Sequence, residues 1–341
     1  MQIFSFLKTL AGGYLGWGMG ANDCANVFGP HVGSNLMKYR TCIIIFCVAV
    51  ILGSVLYGQS MVTDAGKVLP KTGELKQKSS WALINLAVLV TLSAGLAVNL
   101  ATYLGIPTST SQGSIGAFFG LSIALGIQHG ALASLPPWYT FIKMVISWII
   151  SPFLAGLLGF FMQKWGSTIV NKYVQNERVF NRMIWIMLFV AGAYGSFILG
   201  ASHAGIAVAP FYTAGLFENW LGISAKAWAA GLGGVAIAAG AVTYAHKVIY
   251  SVGTKITTLD PFSAFTSVVA MSICVNVFKD FGVPVSSSQA IVGAVAGVGL
   301  TRGARAVSFD TLRNIALGWI ATPIFPAIVS GSIYGLLVHF F

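Results

Sequence analysis

The sequence predicts an all-α polytopic membrane protein built as an inverted repeat, with broken or re-entrant helices and about 10 to 12 membrane-spanning segments. Three observations support this fold class. Hydrophobic residues make up 56% of the 341 residues and charged residues only 8%, whereas a soluble domain carries about 25% charge. Apolar runs recur along the whole chain, and several polar motifs occur twice in the same order. We therefore expect a multi-pass protein of the cell membrane.

Ten apolar stretches are long enough for a membrane helix of about 20 residues. The first and the sixth are too long for one simple crossing. Both contain glycines and a proline, which predict an interruption of the helix. The ten stretches span residues 4–35, 42–63, 81–103, 106–127, 138–163, 183–215, 226–249, 261–279, 283–300 and 314–340.

Three motifs of the first half recur in the second half in the same order. Ordered matches of this kind indicate an internal duplication rather than chance. We expect an N-terminal repeat over 1–163, a linker over 164–182 and a C-terminal repeat over 183–341. The matched pairs are GANDCANVFGP at 20–30 with GASHAGIAVAP at 200–210, GIPTSTSQGSIG at 105–116 with GVPVSSSQAIVG at 282–293, and WIISP at 148–152 with WIATP at 319–323.

The two halves are expected to cross the membrane in opposite directions. Each half has about five spans, and an odd number of spans inverts the second copy. The loop at 36–41 contains a Lys and an Arg, whereas its partner near 216–225 contains neither. This charge pattern places the linker over 164–182 in the cytoplasm. The loop at 64–80 disagrees, because it contains four lysines although the number of spans puts it outside.

The segments PTSTSQ at 107–112 and PVSSSQ at 284–289 predict two helix N-termini that bind an anion. Proline suits the first turn of a helix, and the hydroxyls and free backbone amides that follow can replace the hydration shell of a tetrahedral oxyanion. Neither segment contains Arg or Lys. This absence suits a transported anion, because a fixed positive charge would hold the anion and slow its release. The alternative is a pair of simple helix caps. The candidate anion ligands are Ser109, Thr110, Ser111, Gln112, Ser286, Ser287, Ser288 and Gln289.

Asp23 is the one acidic residue well inside a predicted span. A charge at the middle of a membrane costs about 2.5–3.5 kcal/mol on insertion scales, so it predicts a function. Together with Asn22 and Asn26 it offers oxygen ligands for Na⁺, and the neighbouring glycines are expected to let the helix unwind and expose carbonyls. Asn99 and Asn276, which match in the repeat, are expected to add amide oxygens. The alternative is that Asp23 is a structural helix cap.

Other function classes fit the sequence less well. It contains no pair of carboxylates within spans, no Ser-His-Asp set and no His pair with metal-ligand spacing, so we expect no enzyme and no enzymatic cofactor. The net charge of +11 falls in short loops between apolar runs, which does not indicate nucleic-acid binding. An anion channel would explain the polar breaks, but the sequence lacks a ring of basic residues for a pore.

The motif at 20–30 resembles the signature of the inorganic phosphate transporter (PiT) family, and GVPVSSSQAIVG at 282–293 resembles a second motif of that family. The resemblance implies a homodimeric symporter that imports inorganic phosphate together with a cation, with Na⁺ preferred and H⁺ as the alternative. It also implies that Asn22, Asp23 and Asn26 serve cation coupling and that the Ser/Thr/Gln segments hold phosphate.

The second copy departs from the family pattern, which usually repeats Gly-Ala-Asn-Asp. This chain has Ser202 and His203 there, with Ile206 at the position of the second Asn. Loss of the carboxylate should weaken a Na⁺ site, and His203 could instead titrate in a proton-coupled route or stay neutral. The departure also bears on the substrate, because some relatives are sulfate permeases. Phosphate near neutral pH still carries a proton and can donate a hydrogen bond to Asp23, whereas sulfate cannot, so Asp23 favours phosphate. Loss of the second carboxylate weakens this discrimination, and sulfate is therefore the alternative substrate.

Overall fold

The computed structural model describes residues 8–66, 80–129, 138–173, 176–219, 222–280 and 285–340. Within these residues the fold is helical and contains no strand. Each of the ten predicted spans coincides with one helix, or with α7 and α8 together, so the predicted fold class is confirmed. The α-helices are α1 Leu10–Gly33, α2 Tyr39–Gly66, α3 Ser80–Tyr103, α4 Thr110–His129, α5 Trp138–Tyr173, α6 Glu177–Thr213, α7 Ala225–Tyr244, α8 His246–Tyr250, α9 Pro261–Asp280, α10 Ser287–Leu300 and α11 Phe309–Phe340.

Eight helices in the described part of the chain are long and apolar enough to cross a membrane, as an integral multi-pass membrane protein requires. Two further helices, α1 and α10, are not among these eight, each for its own physical reason. Helix α1 has 24 residues but carries polar side chains that are buried inside the protein. Helix α10 has only 14 residues, or about 21 Å, and so is shorter than the hydrocarbon core of about 30 Å.

Helix α1 is continuous through the motif at 20–30, so the predicted interruption is wrong. The same holds for α6, which runs unbroken for 37 residues. The glycines serve close packing instead of unwinding: a side-chain carbon at Gly20 would overlap the backbone carbonyl of Ile237. Pro30 lies in the last turn, where little helix follows it. Because every residue from Gly18 to Val32 is buried, α1 forms the centre of the bundle.

Equivalent helices of the two halves run antiparallel. Gly12, near the start of α1, contacts Phe211 near the end of α6. Phe28, near the end of α1, contacts Gly192 in the middle of α6. Helices α2 and α7 also pack in opposite directions. This antiparallel relation is the geometry of an inverted repeat.

The same glycine contacts occur twice, once with the glycine in the first half and once with the glycine in the second half. A side-chain carbon at Gly116 would overlap the carbonyl of Pro323, and one at Gly293 would overlap the carbonyl of Pro152. These contacts are equivalent, because the glycines align with each other in the repeat and so do the prolines. Four more contacts of this kind join α1 and α6 to α7 and α2: Gly20 with Ile237, Gly200 with Val50, Gly53 with Phe197, and Gly240 with Trp17.

The contacts of Gly53 and Gly240 extend the repeat to a segment that sequence comparison had missed. They align VAVILGSVLYG at 48–58 with VAIAAGAVTYA at 235–245. The two halves therefore pack face to face with matched backbone contacts on both sides.

Two hairpins end beside the middle of α1. Gly95 of α3 packs against Tyr14, and Thr102 near the end of α3 is bonded to Asn22. Helix α3 thus runs along the first half of α1 and stops at its midpoint, where α4 begins. The start of α10 meets α1 one turn later, at Asn26. The re-entrant element therefore lies at these two tips, and not within α1.

The predicted linker over 164–182 is mostly helical. Helix α5 continues to Tyr173 and α6 begins at Glu177, where Asn176 caps the helix by accepting hydrogen bonds from two backbone N–H groups. The division into two repeats and a linker stays a prediction. Most of the loop at 64–80, the loop at 130–137 and Pro284 lie outside the described residues.

Candidate functional site

The two hairpin tips and the middle of α1 form one polar cluster inside an apolar bundle. The exposed fraction is 0% for Asn22 and 1% for Asp23, Asn26, Thr110 and Ser288. Buried polar groups are normally hydrogen-bonded, so the partners of each side chain indicate what it holds in place.

Asn22 holds the first hairpin tip with three hydrogen bonds. Its Nδ2 donates to Thr102 Oγ1 at 2.9 Å and to the carbonyl of Ile106 at 3.0 Å. Its Oδ1 accepts a hydrogen bond from the backbone N–H of Thr108 at 2.9 Å. These bonds use both amide hydrogens and one lone pair of the oxygen. The geometry therefore gives Asn22 a positioning role, whereas its predicted role as a Na⁺ ligand stays a prediction.

Asp23 joins α1 to the first residues of α4. Its Oδ2 accepts a hydrogen bond from Thr110 Oγ1 at 2.8 Å, and its Oδ1 accepts one from Asn26 Nδ2 at 3.2 Å. A carboxylate offers about four lone-pair sites, so both oxygens retain capacity for a further partner. Asp23 is thus a buried, incompletely saturated carboxylate beside a helix N-terminus.

Asn26 contacts both halves of the protein. Its Nδ2 lies 2.9 Å from Ser288 Oγ and 3.3 Å from Ser287 Oγ, in addition to the bond to Asp23. Its Oδ1 is buried and has no hydrogen-bond partner. An orphaned buried amide oxygen next to a carboxylate fits a cation that prefers oxygen ligands.

The helix N-termini at the two tips are capped in the same way. The backbone N–H of Gln112 donates to Ser109 Oγ at 3.3 Å, and that of Gln289 donates to Ser286 Oγ at 3.2 Å. Other N–H groups in the first turn of a helix have no partner within it. Two positive helix ends therefore converge on the cluster, as predicted, although the assignment of an anion to them stays a prediction.

Ser111 and Ser287 are the partly exposed members of the two hydroxyl segments, whereas their neighbours are buried. Ser111 lies on α4 and Ser287 on α10, so each half presents one accessible hydroxyl. The tips also touch directly, because Ser288 Oγ donates to the carbonyl of Thr108 at 2.7 Å. An anion would reach the helix ends at these accessible serines.

The glutamines of the two motifs bond to each other. Gln112 Nε2 donates to Gln289 Oε1 at 3.2 Å, and Gln112 Oε1 is buried without a partner. Both glutamines also line a cavity of about 1150 Å³, whose other walls are apolar or aromatic side chains of α4, α5, α10 and α11. An inorganic anion would lose its hydration there without compensation, so this cavity is not the anion site.

His203 lies opposite Asp23, its equivalent in the repeat. Its Nε2 is 3.8 Å from Asp23 Oδ2, and its side chain is 17% exposed. Its Nδ1 is 3.0 Å from Ser202 Oγ, and Ser202 Oγ in turn donates to the carbonyl of Ile198 at 2.8 Å. Asp23 and His203 are therefore brought together at the crossing of α1 and α6, with Ser202 beside the imidazole, whereas their predicted part in cation coupling stays a prediction.

Asn99 and Asn276 lie outside this cluster. Asn99 packs against Gly18, one turn before Asn22, and its buried Oδ1 has no hydrogen-bond partner. Asn276 is exposed on α9. Their predicted part in binding a cation stays a prediction.

Two residues of α11 that sequence reasoning had given no role hold the first tip. Trp319 Nε1 donates to the carbonyl of Pro107 at 2.9 Å, and Thr322 Oγ1 is hydrogen-bonded to Thr108 Oγ1. Both belong to the repeated motif WIATP. Its recurrence was the signal that could have identified them.

The cluster combines three chemical capacities. It offers helix N-termini and hydroxyls for an anion, oxygens of Asp23 and Asn26 for a hard cation, and a hydrogen bond from Thr110 to Asp23 that connects the two. The described residues contain no group of three His, Cys, Asp or Glu side chains that could hold a transition metal. The geometry therefore suits the binding of small ions next to each other.

Comparison with known proteins gives consistent matches over nearly the whole chain. The model of the phosphate transporter family matches residues 19–330. A candidate phosphate permease of Pyrococcus furiosus is 26% identical over 97% of this chain and 96% of that protein. One of Methanocaldococcus jannaschii is 28% identical over 96% of each.

A solved structure also matches. It is that of a sodium-dependent phosphate transporter, has a TM-score of 0.76 and 22% sequence identity, and the match covers 99% of each chain. This likeness establishes that the two proteins share a fold.

Proposed function

Because the chain belongs to the phosphate transporter family, we propose that it is a symporter that imports inorganic phosphate together with Na⁺. Membership of the family and the transporter fold point to a transporter rather than an enzyme. Inverted repeats with re-entrant elements bind substrate near the middle of the membrane and expose it alternately to the two sides. We propose that the halves 1–163 and 183–341 move against each other during transport. We also propose that the protein is a homodimer, as the family resemblance implies.

Phosphate would bind between the N-termini of α4 and α10. The free backbone N–H groups of both first turns and the accessible hydroxyls of Ser111 and Ser287 provide donors from two sides. The buried hydroxyls of Thr110 and Ser288 would join them when the tips separate. Because the donors are neutral, they bind the anion without a fixed positive charge that would retain it.

Na⁺ would bind at Asp23 and the unpartnered Oδ1 of Asn26. With no cation, the Asp23 carboxylate is an unneutralised charge close to the anion site and disfavours the anion. A bound cation neutralises it, so each ion strengthens the binding of the other, and this coupling is reciprocal by linkage. The likeness to a solved transporter that is sodium-dependent supports Na⁺ as the coupling ion.

One observation carries the proposal. Asn26 contacts Asp23 on its own helix and Ser288 at the tip of the other half, while Thr110 connects the first tip to the same carboxylate. A cation at Asp23 would therefore act on both hairpin tips at once. Through these contacts, cation binding would be linked to substrate binding.

The test is uptake by purified protein in liposomes, with labelled phosphate or sulfate and an inward gradient of either Na⁺ or protons. We expect phosphate accumulation that requires Na⁺. Sulfate accumulation driven by protons would contradict both the substrate and the coupling ion. Equilibration without accumulation would indicate an anion channel, because only a coupled carrier concentrates its substrate.

A further inference from the structure

We propose that this chain binds a single coupling cation and that His203 is the residue that prevents a second cation site. The inference rests on the proposed function, since it concerns the number of cations moved with each phosphate. It starts from the internal repeat, in which Asn22, Asp23 and Asn26 are equivalent to Ser202, His203 and Ile206. An inverted repeat with two identical copies would build two equivalent cation sites.

The two equivalent positions face each other across the crossing of α1 and α6. His203 Nε2 and Asp23 Oδ2 are 3.8 Å apart, and each lies at the same place in its own half. A carboxylate at position 203 would therefore stand beside Asp23 and create a second acidic position. The imidazole occupies this place instead.

At the positions equivalent to Asp23 and Asn26, the second half has His203 and Ile206 and so supplies no carboxylate or amide oxygen. Ile206 has no polar atom where Asn26 has its free Oδ1. The hydroxyl of Ser202 donates its hydrogen to Ile198 O at 2.8 Å and lies 3.0 Å from His203 Nδ1, so the imidazole is already a direct neighbour of this oxygen. Carboxylate and carbonyl oxygens suit hard cations, whereas imidazole suits transition metals.

Asp23 and His203 are both titratable, and their side chains meet at this crossing. A neutral imidazole adds no charge to attract a cation, and a protonated one repels it. In either protonation state the second position stays without Na⁺. The carboxylate of Asp23, with the unpartnered Oδ1 of Asn26 on the same helix, thus defines one cation site.

The stoichiometry is measurable in liposomes held at zero membrane potential. With a Na⁺ gradient of about tenfold, one Na⁺ per phosphate accumulates phosphate about tenfold, and two accumulate it about a hundredfold. Counting labelled Na⁺ and labelled phosphate in the same vesicles gives the ratio directly. We expect a ratio of one for the native chain.

The variant that tests the role of His203 is His203→Asp, with His203→Ala as its matched control. His203→Asp restores a second carboxylate, and we expect its Na⁺ to phosphate ratio to rise towards two. His203→Ala removes the imidazole without adding an oxygen, so its ratio should stay at one. The native ratio tests the single site even where a variant does not fold.

Each outcome has a distinct meaning. A native ratio of two would overturn the single site. A ratio of one in folded His203→Asp would overturn the assignment of His203. Phosphate uptake with no Na⁺ flux at all would instead contradict the proposed function, which separates the failure of the two proposals.

Discussion

Replacing Asp23 with Asn should remove the dependence of phosphate binding on Na⁺. Thr110 Oγ1 lies 2.8 Å from Asp23 Oδ2, so an anion held at the first turn of α4 would be centred about 6 Å from the carboxylate. At an effective dielectric constant of about 20, two unit charges at that distance interact by about 3 kcal/mol. This repulsion corresponds to roughly a hundredfold in affinity.

The native protein should therefore bind phosphate up to about a hundredfold more tightly with Na⁺ than without it. Asp23→Asn should bind phosphate with one affinity in both conditions, and without Na⁺ it should bind more tightly than the native chain. The measurement is equilibrium binding of labelled phosphate to purified protein, with choline replacing Na⁺. Asp310→Asn makes the same chemical change at an exposed residue and should leave the Na⁺ dependence intact.

A folded Asp23→Asn variant whose phosphate affinity still rises with Na⁺ would contradict this electrostatic coupling. A native phosphate affinity that did not respond to Na⁺, in a protein whose phosphate uptake did, would contradict it as well, because the coupling would then act at another step.

Three further predictions concern the site and its support. Asn22→Ala leaves buried partners of the first tip unsatisfied, so the protein should lose about 1–3 kcal/mol of stability, measured by thermal unfolding in detergent, together with phosphate affinity. Ser111→Ala and Ser287→Ala should each weaken phosphate binding by about 1.5–3 kcal/mol, the range for hydrogen bonds to a charged group, as measured by equilibrium binding. Gly116→Ala should destabilise the fold by about 1–3 kcal/mol through overpacking, whereas Gly13→Ala, which meets no atom within 4 Å, should leave the unfolding temperature unchanged or slightly raised.

The convergence of the two hairpin tips could be predicted because the motif occurs twice. A single Pro-Ser/Thr segment is compatible with any helix cap, whereas two copies in inverted halves must approach each other. Hydrophobic length likewise predicted the helices, since an apolar run of about 20 residues has few alternatives in a membrane.

The continuity of α1 could not be predicted from its own residues. Glycine permits both an unwound backbone and a close contact, and the choice depends on what lies opposite. Here Ile237 places a carbonyl against Gly20, and that contact involves residues more than two hundred positions apart. The positioning role of Asn22 could not be predicted for the same reason, because its partners at Thr102 and Thr108 become neighbours only when the hairpin folds back.

The paired glycine contacts have a genetic consequence. At Gly116 and Gly293 the opposing group is a backbone carbonyl, which every amino acid carries. A harmful substitution at such a glycine cannot be rescued by changing the residue it strikes, unlike a clash between two side chains. Suppressor screens should therefore recover mainly reversion at the glycine itself, and each of the two glycines should be constrained whatever residue lies opposite it.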